Sequence, residues 1–171
     1  MNGRSAIAAA LCLVPAFAST TRAQTPAKAP ASKGTSMTQH ASGTFDVKVQ
    51  PLPADEKVPG LKVGRFGVEK QWKGDFEGTS KGEMMTADAS VEGSGGYAAV
   101  ELLTGTLKGR SGSFTLVHQG TMSKNANFNM LITVVPDSGT GQLAGLAGSL
   151  KIAIADGKHS YTFDYTLPVA P

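Results

Sequence analysis

Glu101 and His118 are the two side chains of this sequence best suited to proton transfer. The dipeptide Gly109-Arg110 fits a type II′ hairpin turn, which takes glycine at its first central position, so Lys108 pairs with Ser111. Counting outward from that turn sets Glu101 directly opposite His118, Leu103 opposite Leu116 and Gly105 opposite Phe114. Opposed residues of an antiparallel pair hold their Cβ atoms roughly 4.5–5.5 Å apart. A carboxylate that close to an imidazole orients the ring and sets its proton affinity, as general acid–base catalysis requires. The same two groups also suit a structural polar contact, satisfied in a core or turned to water. Tyr97, Leu103, Phe114 and Leu116 share the face of this candidate catalytic pair and are the candidate ligand-binding residues.

Other chemistries find less support. His40, His118 and His159 are the three histidines, and none stands at the H-x-H or H-x-x-x-H spacing of a metal site. The carboxylates show no calcium-loop spacing. Gly139-Thr-Gly-Gln-Leu-Ala144 matches the dinucleotide fingerprint in letters only. A helix should follow it, and Leu150-Lys-Ile-Ala-Ile154 continues instead with strand alternation. Those glycines suit a long turn and a close backbone approach. Gly109-Arg-Ser-Gly-Ser113 lacks the spacing of a nucleophile elbow. No metal and no cofactor is expected.

The elements that must position these residues are strands. From Thr44 onward apolar residues recur with period two, and no helical period persists. Phe45, Val47 and Val49 alternate in a first strand that Pro51 and Pro53 end. Strands two to five are expected at 61–72, 76–87, 97–107 and 113–122. Phe128 to Val134 marks the sixth, Leu150 to Ile154 the seventh and His159 to Leu167 the eighth. Asp156-Gly157 favours a type I′ turn, which pairs Ile154 with His159, Ile152 with Tyr161 and Leu150 with Phe163 on one common face. Eight strands joined by short glycine-rich turns, without a crossover helix, indicate an all-β, eight-stranded antiparallel up-and-down β-barrel. A barrel of that size is filled by side chains or holds one small ligand. A two-sheet sandwich is the alternative.

The first 23 residues read as a secretory leader. A basic Met1-Asn2-Gly3-Arg4 start precedes an apolar run from Ile7 to Val14, and Ala16-Phe17-Ala18 supplies a cleavage signature, with Ala23 as a second one. Export follows as the expectation, to the periplasm or beyond. Cys12 is the only cysteine and departs with the leader, so the mature chain has no disulfide and no thiol. Residues 24–41 are rich in Ala, Pro, Ser and Lys, with little to bury, and read as a flexible linker carrying a solvated His40. The barrel domain is expected over residues 42–168.

The linker and leader also explain the charge. The whole chain carries +3, but Arg4, Arg22, Lys28 and Lys33 all precede residue 40 and no acid does. The remainder holds 12 basic residues against 13 acidic ones, with isolated cations such as Lys70 and Lys73 and no basic cluster. A nucleic-acid partner is disfavoured. No apolar run reaches the roughly 18–20 residues of a membrane-spanning helix.

Six ordered motifs carry a resemblance. They are Gly43-Thr-Phe-Asp-Val-Lys48, Tyr97-Ala-Ala-Val-Glu101, the stretch Gly105 to Phe114, His118-Gln-Gly-Thr121, the stretch Val134 to Gly148, and Asp156-Gly-Lys-His-Ser-Tyr161. Over residues 42–168 the chain resembles the bacterial family catalogued as domain of unknown function 3224. The resemblance implies an eight-stranded barrel similar to those of plant allene oxide cyclases and dirigent proteins. The glycine turn from Ser138 to Gly148 is similar to the one in those barrels. The cyclases isomerise an unsaturated lipid epoxide in an apolar barrel, and dirigent proteins steer radical coupling of phenols. Neither group's active-site motif maps onto this chain, so the resemblance implies no catalytic residue, and a shared fold alone does not assign an activity.

Three functions remain open from sequence. The first is an exported barrel that binds a small, largely apolar molecule in its interior. The second is a cofactor-free isomerase or cyclase that uses Glu101 and His118. The third is a solid-core structural or interaction barrel. The sequence leaves enzymatic activity and homo-oligomerisation open.

Overall fold

Period-two alternation from Thr44 onward builds a sheet that curls until its first strand meets its last. The computed structural model describes residues 37–53, 62–124 and 128–168. The strands are β1 (Gln39–Pro51), β2 (Lys62–Gly74), β3 (Phe76–Asp88), β4 (Gly95–Leu107), β5 (Arg110–Met122), β6 (Phe128–Val134), β7 (Ala147–Ala155) and β8 (Lys158–Thr166). Each pairs antiparallel with the next, and β1 closes the barrel against β8. Closure removes every open edge, and the alternative of two packed sheets is not adopted.

β1 starts at Gln39, earlier than the linker boundary expected from composition. His40 is therefore a strand residue; it faces solvent, and its Nδ1 lies 2.6 Å from Asp164 Oδ1. Ala41, also assigned to the linker by composition, is buried opposite Phe163. The ladder to β8 recruits these three residues although their own composition gives no strand signal. The expected leader, its two cleavage sites, the rest of the linker up to residue 36 and Leu61 of the expected second strand lie outside the described residues.

The β7–β8 hairpin has the register expected from Asp156-Gly157, with Ile154 opposite His159, Ile152 opposite Tyr161 and Leu150 opposite Phe163. The β4–β5 hairpin differs. Its turn is Lys108-Gly109, not Gly109-Arg110, and both residues have positive φ (45° and 83°), as a type I′ turn requires. Lys108 accepts this conformation because tertiary contacts hold it. Its backbone N–H donates to the Asp75 carbonyl (2.8 Å) and its Nζ to the His40 carbonyl (2.6 Å). Moving a two-residue turn back by one position shifts every partner by two. All side chains therefore keep their faces while changing their opposite numbers. Glu101 consequently faces Leu116, and His118 faces Ala99.

The two ends of the barrel are unlike. At one end the chain after β6 folds inward as a loop with a single 3-10 turn (Gly141–Leu143), where the fingerprint match had no helix to offer. This loop stands in for the missing half of β6. The Val135 and Thr140 N–H groups donate to the Thr115 and Ser113 carbonyls, while Ser138 Oγ and Thr140 Oγ1 accept from the Thr115 and Ser113 N–H groups. It drives Leu143 and Leu146 into the barrel, where they are buried with Phe76, Leu107, Phe114, Phe163, Tyr165 and Leu167. Phe114 packs edge-on to Phe76 (5.6 Å) and stacks with Phe163 (5.9 Å), each such pair adding about 0.5–1.5 kcal/mol beyond burial. This half of the barrel is solid. Among the described residues no helix is long and apolar enough to cross a membrane.

Candidate functional site

Above the apolar plug the inward face turns polar. On β2, Val68, Lys70 and Trp72 share one parity; on β3, Phe76 and Ser80 do; on β4, Glu101 and Leu103; on β5, Leu116 and His118. The strands thereby bring Lys70, Ser80, Glu101 and His118 together, each less than a tenth exposed. Lys70 Nζ donates to Glu101 Oε2 at 2.7 Å. Ser80 Oγ donates to Glu101 Oε1 and itself accepts from Trp72 Nε1 at 2.7 Å. The Lys70 ammonium also stands over the Phe45 and Trp72 rings, at 5.0 and 5.2 Å.

His118 completes the cluster without being the direct cross-strand partner of Glu101. The two meet on the diagonal, with His118 Nε2 3.2 Å from Glu101 Oε2. The ring nitrogen is close enough to favour the carboxylate electrostatically but is not aligned for a hydrogen bond, and it has no other partner. Burial pushes the Glu101 carboxyl upward, but the combined pull of His118, Lys70 and Ser80 prevails and holds it below its ordinary value. Glu101 is thus an ionised anchor with both oxygens engaged. The imidazole is the member with hydrogen-bonding capacity to spare.

Tyr97 roofs this cluster. Its ring meets that of His118 edge-on (5.9 Å) and stacks with Phe128 (6.3 Å). It can lie there because its cross-strand partner is Gly120: a Cβ at that position would come within 2.4 Å of the Tyr97 ring. Burial first, and then the Glu101 charge, raise the Tyr97 phenol above its ordinary value. Over Tyr97 opens a cavity of about 620 Å³ at the unplugged end, walled by Met84, Thr86, Met122, Phe128 and the β3–β4 turn. Its rim carries Lys62, Asp88 and Glu92.

Of the four residues expected to contact a ligand, only Tyr97 lines this cavity. Leu103, Phe114 and Leu116 are each 1% exposed and belong to the packed core below the polar layer. Their inward direction is as expected, but the space beside them is filled by the plug and by Phe76 and Phe163. Lys70 and Ser80 went unrecognised as site residues. The parity of Lys70 with Trp72, and of Ser80 with Phe76, is the signal that turns both inward. Lys73, three positions on from Lys70, remains on the surface with Asp46. Among the described residues no three His, Cys, Asp or Glu side chains converge as a metal site.

A family model described as "Protein of unknown function (DUF3224)" matches residues 41–165. A crystal structure of a protein of unknown function from the DUF3224 family, from Shewanella oneidensis MR-1, is similar to this chain. The two are 40% identical, the match covers 78% of this chain and 100% of that one, and the TM-score is 0.72. No curated protein matches the chain. The closed eight-stranded barrel, the ordered motifs that run through it and the extent of both matches make this chain a member of the DUF3224 family.

Proposed function

We propose that this protein is an exported carrier or receptor that binds one small, largely apolar molecule in the open half of the barrel. The observation that carries this reading is the cavity of about 620 Å³, which falls within the roughly 300–1,000 Å³ of ligand pockets and has mostly apolar walls around a few polar groups. The solid half supports the same reading, because a rigid, plugged base preforms the cavity above it. Export rests on the basic start, short apolar run and small-residue cleavage pattern of the first 23 residues. The test is native mass spectrometry of protein purified from its own host. A small-molecule adduct should accompany the wild type and be weakened in Thr86→Trp, which puts an indole into the cavity. Bare protein in both cases would overturn the proposal.

A second reading, a cofactor-free isomerase or cyclase, is favoured by one observation: His118 Nε2 is buried 3.2 Å from the Glu101 carboxylate without an aligned hydrogen bond. In that reading His118 moves the proton and Glu101 positions it. Turnover that vanishes in His118→Gln while ligand binding survives would establish the enzyme over the carrier.

A further inference from the structure

Resting on the binding reading above, we propose that the ligand is electrically neutral, with an apolar body and a hydrogen-bond-accepting oxygen that the Tyr97 hydroxyl receives. Three observations lead there. Met84, Met122 and Phe128 offer the walls of the cavity only apolar contact, while Tyr97, which carries a hydroxyl, lines the same cavity. Among the described residues nothing hydrogen-bonds to that hydroxyl, although the side chain is partly buried. The hydroxyl still reaches water and has no protein acceptor to give up, so a ligand oxygen can take the place of that water.

The third observation concerns charge. Glu101 lies on the same strand and face as Tyr97, two inward positions deeper with Ala99 between them, and its negative charge acts on the phenol. The phenol keeps its proton under that influence and under burial, so it remains a donor. A ligand carboxylate would enter past a rim where Asp88 and Glu92 outnumber Lys62 and would lose its hydration with no cation to receive it. An ammonium would gain little in compensation for its lost hydration, because Lys70 already neutralises Glu101 at 2.7 Å. A neutral carbonyl, ether or hydroxyl oxygen carries neither penalty.

Four naphthalenes of similar shape test this: 2-acetylnaphthalene, 2-ethylnaphthalene, 2-naphthoate and protonated 1-(2-naphthyl)ethylamine, titrated by calorimetry into the folded protein at neutral pH. The ketone should bind about fivefold tighter than the hydrocarbon, the yield of one ordinary hydrogen bond. Tyr97→Phe, which keeps the ring over Gly120, should abolish that preference. Equal binding of ketone and hydrocarbon to the wild type, a preference that survives Tyr97→Phe, or tightest binding by the carboxylate or the ammonium would overturn the assignment while leaving the cavity a binding site. Failure of all four to bind would overturn the binding reading together with it.

Discussion

Glu101→Gln keeps the shape of a side chain that is 1% exposed and removes its charge. The Lys70 ammonium, 6% exposed at its side chain, then loses the counter-charge at 2.7 Å. Breaking a buried pair from one side typically costs about 3–5 kcal/mol, because the other charge is left uncompensated. The glutamine oxygen still accepts from Lys70 or Ser80, which returns about 1 kcal/mol. The expected loss is therefore about 2–4 kcal/mol, with a similar loss for Lys70→Met. The double variant leaves no charge alone and should lose no more than one single variant, a coupling of about 2–4 kcal/mol or more. Urea unfolding of the four proteins at neutral pH measures all three quantities. Additive losses, or a single variant that costs under about 1 kcal/mol, would refute the description of this pair as buried and mutually dependent. The pH dependence has a definite sign. The native Glu101 carboxyl lies below its ordinary 4.5, so its contribution is complete above about pH 4.5 and disappears as pH falls through the lower native value. The gap between wild type and Glu101→Gln should close in acid; a gap that widens would contradict the assignment.

Three further outcomes are expected. Gly157→Val should cost about 1–3 kcal/mol by placing a β-branched residue at φ +73°, in a spot with no neighbour within 4 Å, whereas Lys158→Ala should cost almost nothing; equal shifts in denaturant midpoint would contradict the type I′ turn. Tyr97, Tyr161 and Tyr165 are the three tyrosines of the chain, and burial raises all of them above the ordinary 10.0, so native-state phenolate absorbance should stay flat through pH 10. Their stabilisation is complete below pH 10 and fades as pH rises through the higher native values, and a tyrosine that ionises normally before unfolding would refute this. Truncation through Ala41 should lower unfolding free energy by more than about 1 kcal/mol, since it removes three β1–β8 pairs and the burial of Ala41, whereas a cut before Gln39 spares them. Denaturant titration of both truncations distinguishes the two cases.

The barrel was legible because each strand alternates cleanly and carries its own turn signal. Phe45-Val47, Phe114-Leu116 and Tyr161-Phe163-Tyr165 name their inner face without help, and Asp156-Gly157 names its register. Lys108-Gly109 was harder to read. Its first residue needs a conformation that local chemistry discourages, and the contacts to Asp75 and His40 that hold it there come from distant parts of the chain. The site was half legible for a related reason. Glu101 and His118 lie among apolar neighbours on one hairpin, so their shared face can be counted. Lys70 and Ser80 reach them only once three strands have been paired in register. The cavity was least legible, because the division into a filled half and an open half depends on where Leu143 and Leu146 are driven by a loop with no periodicity of its own.

Closure by β1 against β8 has a kinetic consequence. Every other ladder joins neighbours in the chain, and such hairpins form within microseconds. The closing ladder joins seven residue pairs, from Gln39 with Tyr165 to Phe45 with His159, and each pair is more than a hundred residues apart in the chain. Loop-closure entropy for such a span is met all at once, so joining the ends should be the rate-limiting event of folding. Until it happens the curled sheet exposes two unpaired edges, β1 and β8, each able to capture the complementary edge of another molecule. Refolding yield should therefore fall with protein concentration, and a chain cyclised between the start of β1 and the end of β8, with the Asp156-Gly157 turn left intact, should fold faster and aggregate less.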